Sequence, residues 1–155
     1  MGELMKYARE TIATIKEDIE PLVQATYDEV EIDRDRLSFN LNWNVYEQLE
    51  KLNILHIYTA RVDSKMVGYL VFVSSPSLHC AEHVMASSDV IYIHPEHRKG
   101  RAGANMIKFA EKDLLNHGVS VVIIAMKAHA PFDKLLERGG YTFSEKSYQK
   151  FIGAK

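Results

Sequence analysis

DVIYIHPEHRKGRAGANMIKFAEKDLLNHG, from Asp89 to Gly118, reads as a strand, a turn suited to an anion, and a helix. Val90 to Ile93 is β-rich and stops short of Pro95, whose missing N–H cannot serve a central ladder. From Ala104 onward Met106, Ile107, Ala110 and Leu114 recur on one helical face, with Lys108, Glu111, Lys112 and Asp113 largely on the other. Asn116, His117 and Gly118 close that helix, glycine supplying a left-handed cap. Between strand and helix, RKGRAG sets small residues at the positive end of a helix dipole. Backbone amides that point outward there make a natural seat for phosphate.

Working outward, Leu55 to Val62 and Met66 to Val73 are strand patterns joined by VDSK, the composition of a tight hairpin. Val119 to Met126 is almost wholly apolar and predicts a strand buried on both faces. Ala130 to Arg138 predicts a short helix ended by Gly139 and Gly140, and Tyr141–Ser144 with Tyr148–Phe151 a closing antiparallel pair. Upstream, Ile19 to Val30 reads as a helix with Asp18 as N-cap, which leaves Pro21 in the tolerant first turn. EIDRDR, residues 31 to 36, is a charged connector, and Asn42 to Leu52 a second helix carrying Trp43, Tyr46 and Leu49. No repeat or long linker divides the chain, so residues 1–155 are expected to form one α/β domain, a mixed sheet with helices on both faces.

With 46% hydrophobic residues, the 155-residue chain can bury one sizeable core. A formal net charge of -2 excludes the basic footprint of general nucleic-acid binding. Charge is uneven, however. Residues 1–60 carry 12 acidic and 6 basic side chains, a balance of -6, and residues 61–155 carry 9 and 13, a balance of +4. An anionic ligand suits the second part and a cationic one the first. Cys80 is the only cysteine, which rules out an intrachain disulfide and points to a reducing compartment. MGELMKYARE has no apolar signal core, and VVIIAM at 121–126 is too short to cross a bilayer. A cytoplasmic protein without membrane attachment is the expectation.

The central stretch has neither the G-x-x-x-x-G-K-[ST] of nucleoside triphosphatases nor the G-x-G-x-x-G of dinucleotide folds. It resembles the pyrophosphate loop of the GNAT superfamily of acetyl-CoA-dependent N-acyltransferases, P-x-x-[QR]-x-x-G-x-[GA] after a strand. Pro95, Arg98 and Gly103 match. Arg101 replaces the middle glycine, and Gly100 sits one residue earlier. A glycine position that needed positive φ would be strained with arginine, whereas Arg98, Lys99 and Arg101 could add charge-assisted bonds to phosphates. With His79, His83 and Asp89 in an HxxxHxxxxxD pattern, this shifted-glycine form is similar to GNAT-like proteins encoded by bacteriophages. The resemblance covers about Lys51 to Ile152.

The resemblance implies a mainly antiparallel sheet splayed between the fourth and fifth strands. Acetyl-CoA would be the acyl donor, bound by the backbone of Ile91, Tyr92 and Ile93, by the loop Arg98, Lys99, Gly100, Arg101, Ala102, Gly103 and Ala104, and by His129, which takes an asparagine position of the family pattern. The amide of Ile91 would face the oxyanion. For the base, Asp89 comes first, because it lies two residues before Ile91 and so should share its strand face. His83 and His79 are alternatives, since histidine titrates near neutrality. The tyrosine acid of the family aligns with Leu136, which cannot donate a proton. Tyr148, Tyr141, His129 or water remain as donors.

His79 and His83 in HCAEH have i, i+4 spacing, but SSPSLHC is a poor helix start and HCAEH is not the H-E-x-x-H of zinc proteases, so no metal is expected. Tyr46, Tyr69, Phe72 and Tyr148 read as core and cleft walls. The leading function is an N-acetyltransferase acting on a primary amine of a small molecule, peptide or protein, a reading that admits a homodimer. The alternative is a catalytically weak CoA-binding module acting through a protein partner.

Overall fold

The computed structural model describes residues 4–154. Its sheet has five strands in chain order: β1 (Lys6–Glu10), β2 (Leu55–Val62), β3 (Lys65–Pro76), β4 (Val84–Ile93) and β5 (Val121–Ile123). β1 to β4 pair antiparallel, and β4–β5 is parallel. The β2–β3 hairpin turns through Asp63 and Ser64, both at positive φ, the geometry that matches strand twist. Two helices, α1 (Ile12–Val30) and α2 (Trp43–Lys51), pack on one face against Ile57, Tyr69, Val71 and Tyr92. α3 (Ala102–Asn116) and α4 (Asp133–Arg138) pack on the other, where Met106, Ala110 and Leu114 meet Tyr58, Leu70 and Phe72. The central strands β2 and β3 are therefore buried on both sides.

α1 begins at Ile12, well before the expected Ile19, and Pro21 lies inside it. Its buried stripe of Ile12, Ile15, Ile19 and Thr26 runs past the proline. Pro21 is exposed, so the backbone bond its ring removes lies on the solvent side, where water can replace it. Asp18 caps nothing. It pairs with Arg61 at 2.9 Å, and Thr11 is the N-cap. α2 begins as expected, with the Asn42 side chain accepting from the Val45 amide at 3.3 Å.

The C-terminal third departs furthest from expectation. β5 spans three residues, and Val121 and Ile123 are each 38% exposed, as suits an edge strand covered on one side. α4 starts at Asp133 because Pro131 disfavours the helical conformation for Ala130. No strand forms among the described residues after Arg138. The final segment lies instead along the connector between α1 and α2, with Gln149 donating to Asp33 at 2.6 Å and Arg36 over the Phe151 ring.

Candidate active site

β4 carries the site, and a bulge decides how it does so. Val71 pairs with Val90 and Phe72 with Ser88, so Asp89 is an extra residue. Strict alternation fails there. Asp89 reaches Tyr46 of α2, and Val90 packs in the α1–α2 core, whereas Ile91 packs on the α3 side. The expectation that Asp89 and Ile91 share a face is thus corrected: the bulge turns Asp89 away from it.

β5 pairs only with Met85 to Ser87. Beyond that point the Ser88 hydroxyl, rather than main chain, accepts from the Ala125 amide at 2.9 Å, and the strands part. The direction of β4's backbone groups above the parting follows from its register. The His94 amide donates to the Val67 carbonyl, which makes Gly68–Ile93, and by alternation Leu70–Ile91, non-hydrogen-bonded pairs. The amides of Ile91 and Ile93 and the carbonyl of Ile91 therefore point into the opening. Those of Tyr92 are turned to Tyr69, so Tyr92 lends the cleft no backbone group, contrary to expectation.

Downstream, a 3-10 turn at Pro95–His97 leads to the glycine-bearing loop. Gly100 has φ +82°, and Arg101, the N-cap of α3, has φ −106°. The displaced glycine therefore takes the left-handed conformation itself, and Arg101 is unstrained. The amides of residues 99 to 104 have no main-chain acceptor among the described residues, as expected at a helix start. A Cβ at Gly103 would come within 3.0 Å of Leu135 on α4, so glycine there sets the approach of the two helices. A cavity of about 940 Å³ opens between α3 and α4, lined on its basic side by Arg101, Lys108, Lys134 and Arg138.

Arg98 faces elsewhere. Its guanidinium makes a two-pronged pair with Glu29 at 2.9 and 2.7 Å, donates from Nε to the Ile93 carbonyl at 2.7 Å, and lies 5.4 Å over the Tyr92 ring. The paired guanidinium holds the Glu29 carboxyl below its usual range. His129 donates from Nε2 to the Glu29 carbonyl at 3.3 Å.

Asp89 has one strong partner, the Tyr46 hydroxyl, which donates to Oδ2 at 2.6 Å. Burial, then the bond to Asp89, pushes the Tyr46 phenol far above its ordinary value, so it stays protonated. Tyr46 had read as a cleft wall. The signal for more was a tyrosine on the sheet-facing side of an amphipathic helix, where the hydroxyl needs a partner. Neither His79 nor His83 hydrogen-bonds to Asp89. His83 pairs with Ser120 at 2.8 Å at the start of β4, six residues of strand or roughly 20 Å away. Tyr148 is 89% exposed, and Tyr141 donates to Glu111 at 2.6 Å. Leu136 packs against the α3-side core. Among the described residues no three His, Cys, Asp or Glu side chains converge as a metal site would require.

A sheet parted between β4 and β5, with an amide-lined helix start at the mouth of the opening, defines an acyltransferase of α/β fold. The sequence matches the model of the acetyltransferase (GNAT) family over residues 16–141, and the chain belongs to that family, whose members use acetyl-CoA. Its fold is similar to ribosomal-protein-alanine N-acetyltransferase from Brucella melitensis biovar Abortus 2308, with a TM-score of 0.72 and 20% identity, covering 97% of this chain and 100% of that one. Glucosamine-6-phosphate N-acetyltransferase from Arabidopsis thaliana gives a TM-score of 0.73 at 11% identity, with 97% and 100% covered. A predicted acetyltransferase from Clostridium acetobutylicum, determined with acetyl-CoA, gives 0.69 at 10% identity, with 96% and 97% covered. No curated protein matches the sequence. No helix among the described residues is long and apolar enough to cross a membrane.

Proposed function

We propose that the protein moves an acetyl group from acetyl-CoA to a primary amine by direct attack on the thioester. The amides of residues 99 to 104, with Lys99 and Arg101, take the pyrophosphate at the positive end of α3. The outward groups of Ile91 and Ile93 pair with the pantetheine arm, and the Ile91 amide receives the oxyanion. Asp89 takes the amine proton as the C–N bond forms, and the C–S bond breaks to release coenzyme A as a thiolate that water protonates. Tyr46 occupies Oδ2 of Asp89 and so fixes which oxygen meets the amine. The acidic balance of -6 over residues 1–60 favours a cationic acceptor on the side of α1 and α2.

One observation carries this reading. The inward-facing Ile91 amide and the Asp89 carboxylate belong to residues two apart on β4 where the strands part, on the strand that feeds the glycine-bearing loop. Thiol release from acetyl-CoA, assayed over polyamines, aminoglycosides, amino sugars and peptide N-termini, tests it. Amine-dependent release is expected for at least one cationic class. Absence of release across all of them, with acetyl-CoA bound, would sink the transfer reading.

A further inference from the structure

We propose that Glu29 is a positioning residue for the donor loop, and that the Arg98 it holds is a strut rather than a phosphate ligand. This rests on the donor-site reading above. Three of the guanidinium's five N–H groups are directed at fixed acceptors, two on Glu29 and one on the Ile93 carbonyl, and its face lies on Tyr92. Swinging Arg98 toward a phosphate would break a bidentate charged pair and strip the Ile93 carbonyl of its partner, a cost that one new phosphate contact does not offset. Lys99 and Arg101 already stand exposed beside the loop to meet that charge.

The ion pair joins pieces of chain far apart in sequence. Glu29 is in the last turn of α1, Ile93 ends β4, and Arg98 opens the loop, while His129 attaches the β5–α4 segment to the same turn of α1. The direction of the amides from Lys99 onward is inherited from Arg98. Two residues after Glu29 the acidic connector begins, leading to α2 and Tyr46. Glu29 thus ties the donor loop to the end of α1.

A double-mutant cycle on coenzyme A binding, by calorimetry at two salt concentrations, decides the matter. Glu29→Gln and Arg98→Gln should each raise Kd by a similar factor, roughly tenfold, and the double variant should be no weaker than either. The salt dependence should stay that of the wild type, and Glu29→Asp should fall between. With an active amine, KM for acetyl-CoA should rise while kcat holds within about twofold, since positioning the donor leaves the chemical step intact. Circular dichroism confirms that each variant folds. Additive losses, a larger loss in Arg98→Gln with a flattened salt dependence, or tighter binding in Glu29→Gln would each overturn the proposal. A wild type that fails to bind coenzyme A would remove the donor-site reading and this proposal together, whereas a binding wild type with additive variants removes this proposal alone.

Discussion

Arg101 stands where the family pattern has glycine, and its ordinary φ of −106° shows that nothing in the backbone asks for glycine there. Arg101→Gly should therefore weaken coenzyme A binding, more steeply at low salt, because a charge is lost and no strain is relieved. Equal or tighter binding by titration calorimetry would remove Arg101 from the phosphate site. In the middle of β4, Asp89→Asn should leave acetyl-CoA affinity intact and lower turnover by roughly 10²-fold, the scale of a lost general base. Tyr46→Phe should lower it less, because the carboxylate stays but loses its anchor. Full turnover in both variants would make the pair structural. The loop was legible in the sequence because strand, turn and helix are contiguous there. The Tyr46–Asp89 pair was not, since 43 residues separate its members and only the packing of α2 on the sheet brings them together.

His56 is a different kind of residue, 2% exposed, with Nε2 paired to Ser74 at 2.8 Å and Nδ1 without a partner. Burial first, then the nearby Arg9 and His117, hold its imidazole down at about 4, against a smaller upward pull from Asp113. A base whose folded value lies below the ordinary 6.5 binds its proton more tightly when unfolded. Its stabilising contribution is therefore complete above that ordinary value and is lost as pH falls toward 4. Urea unfolding between pH 7.5 and 5 should show stability declining by up to about 2 kcal/mol, and His56→Gln should flatten the decline. A wild type with level stability over that range would contradict the assignment.

Among the elements, the β2–β3 hairpin and the body of α3 follow their local patterns, and those patterns were sufficient to find them. α1 and β5 do not. A proline expected in the first turn lies in mid-helix, where the buried stripe continues on both sides of it, and an apolar run expected as a long inner strand is cut to three residues where Ser88 replaces main chain as the acceptor. The bulge at Asp89 had no signal in MASSDV; it arises from how β4 registers on β3. That register makes Gly68 a sensitive position, for a Cβ there would lie 2.9 Å from the Tyr92 carbonyl and 3.0 Å from an Ile93 side-chain carbon. Gly68→Ala should cost about 1–3 kcal/mol in chemical denaturation and also weaken acetyl-CoA binding, because the displaced backbone is the wall of the opening. Unchanged stability and affinity would show that β4 has slack behind Ile91.

For the whole molecule, the proposed binding at the loop should be linked to folding. Acetyl-CoA at a hundredfold excess over its Kd should add about 2.7 kcal/mol and raise Tm by roughly 5–10 °C. Gly103→Trp, which drives a large ring at Leu135, should fold with a lower Tm and show no such rise. An equal rise in both proteins by scanning fluorimetry would place the ligand elsewhere. The family was legible at this scale because the loop has a fixed length and a fixed neighbourhood. The acceptor was not, since the residues after Val30 that would meet it are charged side chains on an irregular connector whose placement depends on α1, α2 and the C-terminal segment together.

The strand order also gives synthesis a direction. β1 to β4 leave the ribosome as antiparallel neighbours, able to pair in turn, but β5 emerges only after the whole of α3. Until then the outer edge of β4, with the Ile91 and Ile93 amides, is an unguarded template for another nascent chain. β5 guards only its first part, at Met85 to Ser87. That edge, proposed above as the seat of the acyl donor, is thus left unpaired until late in translation, and if coenzyme A occupies it, free coenzyme A should improve the refolding yield from urea.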